Sequence, residues 1–139
     1  KDEAKFHTRA DNLIPLLMAY EDLLGSCEEN LVKIQEDHGE PVGFFKSDDY
    51  FFYTQGVISA LQGLLEAVAV DFKDIIASRR AEADLHHALS SCHHALEINP
   101  ILIFNSHPSG ILANHRANLA AHVSHVRFYI GVMIKTLST

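Results

Sequence analysis

Histidine is the residue type in this chain with the widest chemistry, and several of its ten histidines recur at helical spacing. Zinc accepts imidazole and carboxylate ligands, and His122 and His125, three residues apart, share one helical face. The preceding helix offers His86 or His93 as a further imidazole and Glu82 or Glu97 as a carboxylate. One hypothesis is therefore a transition-metal site, with zinc as the ion, between the last two helices.

A structural role for the same histidines is the interpretation that we favour. The third helix carries a stripe of Glu82, His86, Ser90, His93 and Glu97, beside a more solvent-facing sector with His87 and His94. His86 and His93 are seven residues apart, about 10.5 Å along a helix axis, so both cannot bind one ion. We expect boundary histidines on helix flanks and no cofactor. A pH-sensing role for the Glu–His pairs is a further alternative, because imidazole titrates near neutral pH.

The common catalytic signatures do not occur in this sequence. It has no Gly-rich phosphate loop, no Gly-x-Ser-x-Gly, no Cys-x-x-Cys and no His-Glu-x-x-His. A carboxylate–imidazole pair such as Glu82 and His86 is able to carry out general acid–base chemistry, but no motif places a substrate beside it. We therefore predict that the chain is not an enzyme.

The elements that must position these residues are helices, because hydrophobic periodicity is helical along almost the whole chain. The predicted helices end near Ile34, run from Ser47 to about Arg79, from Glu82 to Ile98, and from Ser109 to about Leu137. The fold class is therefore all-α. Four amphipathic helices with short loops pack most simply as a four-helix, up-and-down antiparallel bundle, here one domain over residues 1–139.

Predicted helix starts carry side chains that accept hydrogen bonds from free backbone N–H groups. These structural caps are Asp11, Ser47 with Asp48, and Ser109. The position of Pro15 is compatible with two starting residues for the first helix. The helix begins either at Asp11, with the proline in its first turn, or near Asp2, in which case the proline kinks it.

Small residues form a face of the last helix opposite its Leu/Val stripe. They are Ala117, Ala120, Ala121, Ser124 and Gly131. Because small residues allow helices to approach closely, this face predicts either a homodimer interface or packing against a helix one layer over.

Aromatic side chains are concentrated at the start of the second helix. They are Phe44, Phe45, Tyr50, Phe51, Phe52 and Tyr53. Four consecutive aromatics cannot all face one core, so some must reach solvent, a loop or a partner. Core and loop packing is favoured over a ligand pocket.

Composition excludes several classes of function. The net charge is -7 and no Lys/Arg-rich run occurs, which argues against a nucleic-acid surface. The longest apolar stretch, residues 57–72, is interrupted by Gln62, Glu66 and Asp71, and the last helix carries Arg116 and Arg127, so neither is a membrane span. Cys27 and Cys92 form either one disulfide or two buried thiols, with thiols slightly favoured.

Three stretches of sequence point together to one family. They are residues 6–13 (FHTRADNL), residues 48–56 (DDYFFYTQG) and residues 110–115 (GILANH). In this order they resemble a bacterial family known only as a domain of unknown function. Its members resemble longer proteins in which a hydrophobic N-terminal segment precedes a helical domain. The resemblance implies a fragment, beginning at Lys1, of a protein anchored at the inner membrane or the periplasmic side of the bacterial envelope. It implies no activity or ligand.

The predicted function is a non-enzymatic helical domain that mediates protein–protein contact at the bacterial cell envelope. The alternative is a transition-metal-binding module that uses histidines of helices three and four. The expected partner is another protein, with a homodimer possible, and any membrane contact would come only through a missing N-terminal segment. The identity of the partner and the oligomeric state are left open.

Overall fold

A computed structural model describes residues 9–100 and 114–139 of the chain. Its elements are α1 (Ala10–Val32), α2 (Phe44–Asp71), α3 (Lys73–Ser78), α4 (Glu82–Glu97) and α5 (His115–Leu137). Within these ranges the only β pairing is an isolated bridge between Gln35 and Pro41. The prediction of an all-α fold is confirmed, and the described residues form five helices where the sequence predicted four. None of the helices described is long and apolar enough to cross a bilayer.

The predicted second helix is two helices, α2 and α3, separated at Phe72. The second of them ends as predicted near Arg79, although no glycine marks the end. The backbone N–H of Arg80 donates to the Ala77 carbonyl and that of Ala81 to the Ile76 carbonyl, which is the Schellman pattern. Arg80 occupies the left-handed position with φ of 59°.

Three of the predicted helix caps are wrong. α1 begins at Ala10 with Arg9 as N-cap, which places Asp11 in the first turn, paired to the Arg9 guanidinium at 2.8 Å. α2 begins at Phe44 with Gly43 as N-cap, so Ser47 and Asp48 lie inside the helix. The fourth predicted cap, Ser109, lies outside the described residues. The cap of α5 is Asn114, whose side-chain oxygen accepts a hydrogen bond from the backbone N–H of Ala117 at 3.0 Å.

α5 occupies the centre of the packing, because it lies against α1 on one side and α4 on the other. α2 packs mainly against α4 and less extensively against α1. One continuous hydrophobic core joins them, with Leu17, Leu24, Phe51, Ile58, Leu65, Ala88, Cys92, Val123, Ile130 and Met133 among its fully enclosed side chains. Burial of this apolar surface is the main stabilising contribution to the fold.

Cys27 and Cys92 are two buried free thiols, the slightly favoured of the two interpretations of the sequence. Burial raises the pKa of Cys92 to about 12. It also raises the pKa of Cys27 above its ordinary value, although a hydrogen bond with Thr54 opposes that effect. Both side chains are fully enclosed, so they act as small apolar core residues.

Arg116 is the largest side chain that the fold buries completely, with 1% of its surface exposed. Its Nη2 donates to the carbonyl of Asn30 at 2.6 Å and to that of Lys33 at 2.9 Å. Its Nη1 donates to the hydroxyl of Ser47 at 3.5 Å. Since the last carbonyls of a helix have no partner within the helix, the guanidinium caps the C-terminus of α1 from the first turn of α5.

The surroundings of this guanidinium balance part of the cost of burying a charge. Its Cζ lies 5.7 Å from the centre of the Tyr50 ring, and the Tyr50 hydroxyl donates to both carboxylate oxygens of Glu36 at 3.1 Å. Burial lowers the pKa of Arg116, while Tyr50 and Glu36 act to raise it. Nε has no hydrogen-bond partner in the described structure. Three hydrogen-bond acceptors, from the end of α1 and the first turns of α2, therefore meet at one buried cation of α5.

We expect the substitution Arg116→Ala to lower the free energy of unfolding by about 2–4 kcal/mol, because it leaves a cavity and two unpaired carbonyls. Arg116→Met keeps most of the volume and isolates the hydrogen-bonding part of that loss. The matched control is Arg127→Ala, which removes an exposed pair with Glu28 and should cost less than about 1 kcal/mol. Urea denaturation measures all three; equal losses for Arg116→Ala and Arg127→Ala would contradict the capping role.

Candidate functional site

Two aromatic pairs connect α4 to α5. The His87 ring stacks on Tyr129 with centroids 4.8 Å apart, and the His94 ring lies beside His122 at 6.0 Å. Each pair is one seven-residue step from the other on both helices. The spacing is that of two helices running side by side over two turns, and the pairs line the edge of the interface.

A single carboxylate contacts two histidines at the end of α4. Glu97 lies 3.0 Å from His94 Nδ1 and 3.4 Å from His93 Nε2, as the i,i+4 spacing of His93 and Glu97 predicted. The hydrogen bond from His94 lowers the pKa of the Glu97 carboxyl. Burial, followed by the neighbouring His94 and His125, lowers the pKa of His122 below its ordinary value of 6.5. The neutral form of His122 is therefore favoured.

The structure does not support the predicted metal site. No three His, Cys, Asp or Glu side chains are arranged to hold an ion within residues 9–100 and 114–139. The predicted imidazoles His86 and His93 lie on the exposed side of α4, and Glu82 is exposed at its first turn. His87 and His94 are exposed as well, as the sequence predicted, but theirs are the rings that contact Tyr129 and His122 of α5. Helical periodicity located the histidines on α4, but it did not show which of them contact α5.

The small-residue face of α5 is divided by its neighbours. Ala120 is buried in the core, Ala117 and Ala121 are exposed, and Ser124 and Gly131 are partly covered. A Cβ on Gly131 would lie 3.2 Å from a Glu21 oxygen, and one on Gly25 of α1 would lie 3.2 Å from the Arg127 guanidinium. Charged side chains of each helix thus lie across a glycine of the other. For Ser124 and Gly131, this matches the alternative of packing against a neighbouring helix.

A groove of about 450 Å³ follows the junction of these two helices. Its lining is Glu21, Glu28, Ser124, Arg127, Phe128, Gly131, Val132 and Lys135. Its polar groups bond to one another: Glu28 accepts from the Ser124 hydroxyl at 2.5 Å and from Arg127 at 3.3 Å. The groove is open, and its hydrogen-bonding groups are used to join α1 to α5.

The outer side of α2 is the surface with the most unusual chemistry. No charged residue occurs from Tyr50 to Leu65, and the side of the helix away from the core stays apolar. We call its exposed residues the outer strip: Phe45, Phe52, Gly56, Ser59, Gly63, Ala67 and Val70. An interval of 100° per residue places these residues within about 80° of arc. The same arc contains one charge, Asp49, near the N-terminal end.

The outer strip and its flanks expose large apolar side chains. Phe45 is 81% exposed and Val70 is 75% exposed, while Phe52, Tyr53 and Leu64 keep about half of their surface in solvent. A Cβ built on Gly56 or Gly63 meets nothing within 4 Å. Ordinary surface helices carry charged residues on this side. The strip therefore exposes apolar side chains where a surface helix usually carries charge.

Part of this exposed apolar surface was predicted from the sequence. The aromatic run was expected to reach solvent, a loop or a partner in part, and the structure buries Phe51 completely while Phe52 and Tyr53 are exposed. Continuation of the apolar surface to Val70 was missed. The interval without charge from Tyr50 to Leu65 is 16 residues, longer than four helical turns, and is the pattern from which it can be found.

Fold and surface define this chain as a helical domain with one apolar helix face open to solvent. It belongs to the bacterial family described as an uncharacterized protein conserved in bacteria (DUF2333), which matches residues 33–137. The match includes α2 to α5, and therefore both the outer strip and Arg116, and begins after α1. No curated protein and no solved structure matches the chain.

The histidine pairs predict a pH dependence of stability. His122 has a lower pKa when folded than its ordinary value, so the unfolded chain binds the proton more tightly. Stability should therefore fall as pH drops below 6.5 toward the folded pKa. We expect His122→Gln to flatten the decrease in Tm between pH 7.5 and about 5.5. The change in Tm with pH is compared with that of His38→Gln, an exposed histidine in the α1–α2 turn; identical profiles would contradict the role of His122.

Proposed function

We propose that this chain is a non-enzymatic helical domain that binds another protein chain through the outer strip of α2. The observation that carries the proposal is the run from Tyr50 to Leu65, free of charge on a helix with one side in solvent. Contiguous exposed apolar patches larger than a few hundred square ångström are uncommon on monomeric proteins, and the largest apolar patch of a monomer is often functional. The strip is apolar, and the side chains in its middle are small enough for a partner helix to approach closely.

We further propose that α1, α2, α4 and α5 form an antiparallel four-helix bundle, with α3 as a short extension of α2. Arg116 at the start of α5 bonds to Asn30 at the end of α1, which supports opposite directions for these two helices. The pairs His94–His122 and His87–Tyr129 support the same for α4 and α5. Near the start of α2, Gln55 Nε2 donates to the carbonyl of Ile98, just beyond the end of α4, at 2.6 Å.

In the proposed bundle α2 keeps an outer side in solvent, because its inner side packs on α4 and less extensively on α1. Its buried row contains Phe51, Ile58, Leu61, Leu65 and Val68. The outer strip lies opposite that row, so a partner is able to bind it without displacing the core.

The location that we propose is the bacterial cell envelope, as the family resemblance implies. Fractionation of cells that carry a tagged full-length protein tests this part separately. Recovery with the membrane or periplasmic fraction is expected, and recovery with the cytoplasmic fraction would contradict it. The contact function of the outer strip does not depend on this result.

The contact function is tested with a photo-cross-linking amino acid at position 52 in cells. We expect covalent adducts from position 52 and none from position 128, because Phe128 is also an exposed aromatic, at 62%, but lies on α5 away from the strip. Phe52→Glu should remove binding while changing stability by less than about 0.5 kcal/mol, since the site is on the surface. Equal adducts at the two positions, or none at position 52, would overturn the proposal.

A further inference from the structure

We propose that the edge where α4 meets α5 is an acid-sensitive hinge, in which protonation detaches the C-terminal turns of α4 from α5 and leaves its N-terminal turns in place. The outer strip of α2 takes no part in this hinge. Two ring pairs connect the helices along the edge, His87–Tyr129 and His94–His122. The pairs lie about two helical turns apart, and a proton affects each of them differently.

Protonation of both rings is unfavourable at the C-terminal pair. The His94 and His122 rings lie 6.0 Å apart across the interface, so two imidazolium groups there would repel each other. His125 on α5 is a further imidazole close to His122. Among the described residues, Glu97 is the one carboxylate paired with the histidines of this turn, and His93 shares it with His94. One negative charge therefore faces up to four positive charges when these imidazoles are protonated.

His122 is the member of this group that couples protonation to opening. It is partly buried at the interface, whereas His93, His94 and His125 are exposed. Burial, followed by the neighbouring His94 and His125, lowers the pKa of His122, while Glu97 acts to raise it. His122 therefore binds a proton more tightly once the rings separate and water reaches it. By linkage, protonation favours the separated state as the pH falls below 6.5.

The N-terminal pair keeps its contact when it is protonated. The His87 ring stacks on the Tyr129 ring with 4.8 Å between centroids and an angle of 22° between the ring planes. A cation over the face of an aromatic ring is attracted to it, so a charged His87 retains its partner on α5. The His86 ring lies 6.0 Å from that of His87, and Asp84 is three residues earlier on the same side of α4. Acid therefore weakens only one of the two connections.

A contact with α2 limits how far the end of α4 moves. Gln55 Nε2 donates to the carbonyls of Ala95 and Ile98, at 3.2 Å and 2.6 Å. A side-chain amide does not titrate near neutral pH, so these hydrogen bonds persist in acid. The C-terminal turns of α4 thus stay attached to α2 while they separate from α5. The result is a local opening of the edge, with the rest of the bundle in place.

Hydrogen exchange at pH 7.5 and pH 5.5 measures the opening, after correction for the chemical exchange rate at each pH. Helical turns that lose tertiary packing lose most of their stability, so their amides exchange faster. We expect residues 93–98 to lose protection at pH 5.5 by about threefold or more, the factor produced in water by two unit charges about 6 Å apart. Residues 83–88 and α1 should keep their protection. Uniform loss along the chain, or no loss at residues 93–98, would overturn the proposal.

Three histidine variants distinguish the hinge from a general effect of acid. His122→Gln should abolish the loss of protection at residues 93–98. His87→Gln should extend that loss to residues 83–88, because the stacked pair no longer holds them against α5. His86→Gln is the matched control on the same helix, since His86 is exposed and its ring lies beside His87. Equal exchange profiles for His86→Gln and His122→Gln would contradict the hinge.

An NMR titration of the histidine ring protons measures the coupling between the two rings. His94→Gln should raise the pKa of His122 toward 6.5, because His94 exerts the larger of the two charge effects that lower it. His93→Gln is the control, since the His93 ring pairs with Glu97 on the exposed side of α4. An unchanged pKa of His122 in His94→Gln, or an equal change in both variants, would overturn the proposal.

Discussion

The buried guanidinium of Arg116 is the interaction on which the arrangement of the helices depends. A charge enclosed by protein is costly unless it is hydrogen-bonded, and here the acceptors come from the end of α1 and the first turns of α2. Because a guanidinium is planar and rigid, these groups must lie in fixed positions around it. Sliding α5 by one turn along α1 would leave the charge unpaired. The Arg116 side chain thus fixes the axial position of α5 along α1, which apolar packing alone does not determine.

That register determines the contacts further along α1 and α5. From Arg116 and Asn30 at one end, the two helices bring Ser124 to Glu28, Arg127 over Gly25, and Glu21 over Gly131. Each long charged side chain crosses the other helix where no Cβ obstructs it. Glycine is unfavourable within a helix, by about 1 kcal/mol relative to alanine, so its presence at both crossing points reflects the close approach. The small residues where α1 and α5 cross therefore serve packing within the chain.

Helical periodicity was sufficient to predict the all-α class, because apolar spacing directly records which side of a helix faces inward. It was insufficient at the end of the first helix, predicted near Ile34, because α1 ends at Val32 and Ile34 is 82% exposed. The metal-site hypothesis failed for a related reason. A helix wheel gives relative angles, whereas the choice between His86 and His87 as the side facing α5 depends on where that helix packs. Burial of Arg116 was also missed, since arginine is rarely enclosed and its partners are 69 to 86 residues away.

The same junction has a consequence for the outer strip. Ser47, which bonds to Arg116, lies within the first turns of α2, and Phe45 is two residues before it. The N-terminal end of the strip is therefore attached to the most constrained point of the fold, while Gln55 bonds the next turns of α2 to the carbonyls of Ala95 and Ile98. A helix held at these points loses little conformational freedom on binding. The entropic cost of ordering therefore offsets less of the binding free energy that a modest apolar area provides. Rigidity supplied from the buried side of α2 would make so narrow a surface usable as the proposed contact site.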